Sequence, residues 1–451
     1  MSLSSHNVVV IGAGLAGCEC AYALAARGIP VILYEMKPKR FSPAHTVPDF
    51  AELVCSNSFR SNEADSAIGL LKEEMRLLGS LSMRAAASTA VPAGKALAVD
   101  REKFSQAMTK HIMDSAGIRV IREEVVSLVD PDRLNPTGEP PFAVVVAAGP
   151  LASDALAQSL LEMIGGESLY FYDAVAPIVV TESVNKNIAF WGSRYNPEEG
   201  DYLNCPMNRE EYAAFYEALL AGERVAVKPG EDEKHFEGCM PIEALAERGP
   251  KTLTFGPFKP VGFIDPRTGE RPFALLQLRQ ENLNKDSMNL VGCQTKLTYK
   301  EQERVFRMIP GLETAKFARF GSMHRNTFIN APEVLAPNLS LKQNPRIYLA
   351  GQITGVEGYV ESAATGLLLG LSLAGVLRGA ELPAPPATTA TGSLLRHLQT
   401  PARRFQPSNA QYGLMPELDT ERGAKAKKES RKSLYASRAR EAFAAWLRQA
   451  R

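Results

Sequence analysis

The chain has 451 residues, 45% of them apolar, and its 51 Lys and Arg nearly balance 50 Asp and Glu. That length supports two or three domains around a large core. The six cysteines (Cys18, Cys20, Cys55, Cys205, Cys239 and Cys293) form no CxxC pair and no framework of short loops, which argues against structural zinc or any other metal and for a reducing, cytoplasmic setting; no basic, cleavable apolar segment precedes the first strand at Asn7.

In chain order, Asn7 to Ile11 is a β-branched run of the kind buried on both faces of a parallel sheet. It leads into Gly12-Ala13-Gly14-Leu15-Ala16-Gly17. Gly12 permits a tight turn, Gly14 lets backbone approach a pyrophosphate, and Gly17 lets a helix from Cys18 to Arg27 pack on the strand. The helix start offers unpaired N–H groups to phosphates. A second strand, Val31 to Tyr34, ends at Glu35, placed to accept hydrogen bonds from a ribose diol. Cys55 follows in a polar loop, Glu52 to Ser61. Asp100 reads as the N-cap of a helix beginning at Arg101, and Arg101 is either a cofactor contact or a solvated first-turn charge. Ala143 to Pro150 is a strand ending at Gly149 beside the expected cofactor.

Residues 173–331 read as an insertion, with a strand-like run from Ala176 to Thr181 and a helix near Arg209 to Ala221. Cys239 lies there between Gly238 and the Met240-Pro241 pair. Either Cys55 or Cys239 needs a cation or a helix N-terminus nearby to act as a thiolate; otherwise each is an inert small apolar residue. A second glycine turn, Gly351-Gln352-Ile353-Thr354-Gly355, follows the strand at Ile347 to Leu349 and precedes a small-residue helix, about Glu361 to Leu377. Two such turns suit FAD, one for the ADP half and one placing a helix N-terminus by the isoalloxazine. The apolar stretch 363–377 is 15 residues with three glycines, so a buried helix is expected and no membrane span. After a Pro-, Ala- and Thr-rich linker at 383–392, the segment from Arg396 onward holds 13 Lys and Arg against five Asp and Glu. Its helix, with Leu434, Phe443 and Leu447 as a docking stripe, is either a phosphate-binding module or a solvated amphipathic helix.

The expected fold is α/β: an FAD-binding Rossmann-like domain of the glutathione-reductase type (1–172 and 332–382), an inserted α/β domain (173–331), and a basic helical segment (393–451). Together, the first glycine turn with Cys18-Glu19, Val54 to Arg60, Phe236 to Glu243, Gln277 to Asn282, and Tyr348 to Ala364 resemble the bacterial folate- and FAD-dependent tRNA (uracil-5-)-methyltransferases. The resemblance implies synthesis of ribothymidine in the T loop of tRNA. It also implies 5,10-methylenetetrahydrofolate as carbon donor, passed via reduced FAD, and NAD(P)H as reductant. Cys239 is similar to the family's nucleophile and Cys55 to its second reactive cysteine, a base for the C5 proton, and the sequence is compatible with either division of the two roles. Glu243, Arg279 and Lys296 are either substrate or folate contacts or structural ion pairs. Partners would be the tRNA T arm and folate, with no membrane or protein partner. The alternatives are another FAD-dependent enzyme of tRNA uridines and a small-molecule flavin oxidoreductase on the same fold.

Overall fold

The computed structural model describes residues 7–165, 169–194, 200–226, 240–403, 405–418 and 428–449. Its central sheet has five parallel strands in the order Ile347–Leu349, Ala143–Val146, Val8–Ile11, Val31–Tyr34, Ile118–Ile121. Val8–Ile11 is buried along its whole length, as its unbroken β-branched run requires in the middle of a parallel sheet. The edge strand Ile347–Leu349 pairs with Ala143–Val146 across some two hundred intervening residues, so this domain is discontinuous.

Helix Leu15–Ala25 packs under Tyr359–Leu377. A Cβ on Gly366 would lie 2.0 Å from the Ala16 carbonyl oxygen, and one on Gly370 would lie 2.7 Å from that of Cys20. The small residues of 363–377 therefore let two backbones touch. Tyr359–Leu377 is long and apolar enough to cross a membrane by length and composition, but most of it is buried inside the protein. Cys18 and Cys20 are fully buried in the facing helix, and burial raises both thiols.

The chain leaves this domain along Leu169–Ala174 and returns along Met323–Phe328, which pair antiparallel. Between them lies a six-stranded sheet in the order Phe190–Gly192, Tyr202–Met207, Ala274–Gln280, Ser287–Leu290, Ile178–Val180, Phe317–Arg319, antiparallel throughout. Helix Arg209–Ala221 starts at a capping box between Asn208 and Glu211 and buries Phe215 against Phe258 and Phe306. This second core is separate from the first.

The stretch at 383–392 is not an open linker. Thr389 to Ser393 are buried at the start of helix Ala390–Gln399, whose first N–H groups, Ala390 and Thr391, both donate to the Glu74 carboxylate at 2.8 Å. The last helix, Lys428–Gln449, docks on the first domain through Tyr435, Ala436, Ala439, Phe443 and Trp446. Leu434 and Leu447 flank that face half-buried, because its periodicity runs one position off the expected stripe. Arg440 binds Glu73 at 2.9 Å, and Arg438 donates to the carbonyls of Pro416 and Glu417. Part of the tail's positive charge therefore holds the fold together.

Glu74 also accepts from the Thr391 hydroxyl, yet burial outweighs these hydrogen bonds and pushes its carboxyl up to about 7. A carboxyl raised above its unfolded value, roughly 4.3, contributes stability that is complete below that value and is lost as pH rises through about 7. Glu74→Gln is expected to flatten this fall in melting temperature between weakly acidic and neutral pH. Thermal melts of both proteins across that range check it, and parallel curves would contradict it.

Candidate functional site

The glycine turns converge on one cleft that is open to solvent. Gly12, Ala13, Gly14, Leu15 and Ala16 form one wall. Gly149 lies on another, with Gly351 and Gln352 on a third, where Tyr359 and Ser362 bring the start of the second long helix. Gly14 is the N-cap of Leu15–Ala25 with no side-chain cap, so the first helical N–H groups remain for a ligand. A Cβ at Gly14 or Gly149 would meet nothing within 4 Å. Gly17, by contrast, seals the turn beneath the cleft, since its Cβ would sit 1.8 Å from the Gly12 carbonyl oxygen.

Glu35 lines the cleft with its carboxylate fixed by the N–H groups of Ala13 and Lys37, each donating at 2.9 Å. Each oxygen keeps acceptor capacity for a sugar hydroxyl. His45 faces the same space and stays neutral: burial, then Lys37, lowers it to about 4. At the second turn, the Gly351 N–H donates to Thr365 Oγ1 at 2.8 Å, and Gln352 holds Glu357 at 2.6 Å. Gly355 has φ 94°, and its Cβ would lie 2.3 Å from the Phe405 ring, so the turn packs there on the C-terminal segment, away from the cleft.

Cys55 follows Val54, a cleft residue, and its N–H donates to Tyr359 Oη at 2.8 Å. Ser56 N–H donates to the same oxygen at 3.3 Å. With both acceptor positions of the phenol taken, its own proton is directed at Cys55 Sγ, 3.0 Å away. Burial, with Asp173 next, pushes the Cys55 thiol up to about 12. Arg101 does not line the cleft: its guanidinium donates to the Leu53 and Val54 carbonyls and pairs with Glu281 of the inserted domain at 2.9 Å. Neither sequence alternative for Arg101, cofactor contact or solvated charge, describes this interdomain clamp.

Arg279 is buried on the inserted sheet and reaches Ser56 and Asn57. Glu243 is buried, raised by that burial, and receives the Thr295 hydroxyl and the Lys296 N–H. Cys239 lies outside the described residues. Tyr359, Asn57 and Glu281 were given no role by sequence reasoning. Tyr359 stands 304 residues from Cys55, and no spacing rule joins such a pair.

A family model described as "Glucose inhibited division protein A" matches residues 7–381. A relative from Nitratidesulfovibrio vulgaris (strain DP4), named methylenetetrahydrofolate--tRNA-(uracil-5-)-methyltransferase TrmFO, is 63% identical over 446 residues, covering 98% of this chain and 90% of the relative. The chain belongs to the TrmFO family. A TrmFO of the same name from Oleidesulfovibrio alaskensis is 60% identical over 440 residues, covering 98% of this chain and 97% of its own. The structure of Aquifex aeolicus GidA in its form II crystal superposes with a TM-score of 0.67 at 17% identity, covering 99% of this chain and 74% of that one. That likeness shows a shared fold, in keeping with the Rossmann-like parallel sheet of this chain.

Proposed function

We propose that this TrmFO protein methylates C5 of the T-loop uridine of tRNA, with 5,10-methylenetetrahydrofolate as carbon donor, FAD as bound cofactor and NAD(P)H as reductant. The observation that carries the reading is the placement of Cys55: hydrogen-bonded to a cleft residue between the two glycine turns and clamped by the inserted domain. The relatives' printed name supplies the substrate pair.

The cleft residues fit FAD. Open Cβ positions at Gly14 and Gly149 admit a ligand's close approach, the start of Leu15–Ala25 would receive the pyrophosphate, and Glu35 would receive the ribose hydroxyls. When bound, FAD supplies the redox chemistry that converts a folate-derived one-carbon unit to a methyl group. The chain's own residues prepare the uracil. C5 is a weak nucleophile until the Cys239 thiolate adds to C6, which turns the ring into an enolate. After the carbon joins C5, Cys55 Sγ removes the C5 proton, and loss of the Cys239 thiolate restores the double bond. Extruding the uridine from the T loop costs a few kcal/mol, roughly, as for other enzymes that act on flipped bases. Exposed cations of the tail, such as Arg431 and Lys432, offset that cost through the phosphates.

The test is incubation of the purified protein with unmodified tRNA, NADPH and methylenetetrahydrofolate carrying a labelled methylene, followed by nucleoside analysis. Label is expected in 5-methyluridine and only when folate is present. NADPH oxidation by a flavin-loaded protein without labelled nucleoside would reject the reading.

A further inference from the structure

The loop that carries Cys55 is gripped from the inserted domain by a buried cation. Arg279, near the end of strand Ala274–Gln280, donates from Nε to Asn57 Oδ1 and from Nη2 to Ser56 Oγ, both at 2.9 Å. Asn57 is itself fixed, its amide donating to the carbonyls of Val99 and Gln280 at 2.9 Å. Both partners of the guanidinium are neutral, and among the described residues no carboxylate forms an ion pair with it. The second buried cation here, Arg101, is the one that pairs with Glu281.

Keeping a guanidinium out of water with no carboxylate in contact is costly, and burial lowers Arg279 from its usual value even though Glu281, shared with Arg101, favours its charge. Loop fixation alone does not call for that cost, since an amide side chain also donates to Ser56 and Asn57. A positive charge is useful where a negative one must form. The groups that couple to Arg279 are Glu281, Tyr202, Arg101 and Cys55. Around Cys55, Asp173 and Glu357 oppose a thiolate, while the Tyr359 hydroxyl and then Arg101, already paired with Glu281, favour one.

We propose that Arg279 is a positioning residue for Cys55: it fixes the loop through Ser56 and Asn57 and brings to it a positive charge that helps to sustain a thiolate on Sγ. The inference rests on the reading of Cys55 as the base that takes the C5 proton. It makes the inserted domain part of the machinery, because Cys55 sits on one domain and its charge partner on the other.

The experiment measures iodoacetamide alkylation of Cys55 by peptide-resolved mass spectrometry in the flavin-loaded protein, at fixed pH and without tRNA or folate. Arg279→Gln is expected to slow the reaction about tenfold or more, since losing an opposite charge at close range costs a thiol at least about one pKa unit. In the same variant the pH profile of methyl transfer moves to higher pH while KM for tRNA holds. Arg279→Lys keeps the charge and is expected to alkylate near the wild-type rate. Flavin absorbance and thermal unfolding verify that each variant is folded. Unchanged or faster alkylation in Arg279→Gln would show a mechanical clamp only, and a strongly slowed Arg279→Lys would equally overturn the charge argument, including where the glutamine variant does not fold. Because alkylation needs neither tRNA nor folate, failure of the methyltransferase reading leaves it interpretable.

Discussion

Replacing Cys239 with alanine is expected to lower methyl transfer on the order of 10⁴-fold, the scale typical of removing a covalent nucleophile, while the flavin stays bound. The two effects separate because the groups that would hold FAD, the turn at Gly12 to Gly17, Glu35 and the helix starts, all belong to the first domain, whereas Cys239 belongs to the inserted segment. Without a thiolate at C6 the uracil ring never gains enolate character, so C5 remains too weak a nucleophile to take the carbon. Reductant oxidation should continue, since it does not involve the nucleotide. The decisive measurements are labelled 5-methyluridine formation and flavin absorbance on the same preparation. A variant that keeps full activity would remove Cys239 from the reaction, and one that loses flavin would show it to be structural.

Gly14→Ala is expected to leave the fold intact and cost FAD affinity about 100-fold, as forcing a methyl into a filled contact costs roughly 1–3 kcal/mol. The residue has an ordinary φ of −73°, and its Cβ would meet no protein atom within 4 Å. Backbone geometry therefore does not require glycine at this position, and the open space is what the pyrophosphate would occupy. Gly17→Ala makes the contrast. Its Cβ would fall 1.8 Å from the Gly12 carbonyl oxygen, so the turn itself must break. Flavin titration of the apoprotein, with thermal unfolding of the same samples, distinguishes the two. Normal flavin content in Gly14→Ala would mean that the pyrophosphate does not pass over this turn.

Local patterns were enough to read the framework. The β-branched run before Gly12 is a central strand, Asp100 caps Arg101–Met113 by accepting the Lys103 N–H at 3.0 Å, and the small-residue stretch at 363–377 is a buried helix. These follow from interactions a few residues apart, or from burial on every side, and both leave a mark in composition. The tail was harder. Its charge suggested a separate module, but Trp446 donates to the Pro383 carbonyl at 2.8 Å, Glu74 caps Ala390–Gln399, and Arg440 pairs with Glu73. Each of these contacts joins positions far apart in the chain or turns on which helix face meets the core, and charge counts carry neither.

The sequence by itself determined the glycine turn after the first strand, the strand that feeds it and the place of Glu35 at the end of the next strand, because each depends on residue types at short spacing. Only the tertiary structure decided what surrounds Cys55. Tyr359 beneath its sulfur, Arg101 tied to Glu281, and Arg279 on Ser56 and Asn57 come from separate strands and helices. The physical reason is that thiol chemistry depends on charge and hydrogen bonding within a few ångströms, and in this fold those ångströms are crossed by segments that the chain keeps up to 304 residues apart.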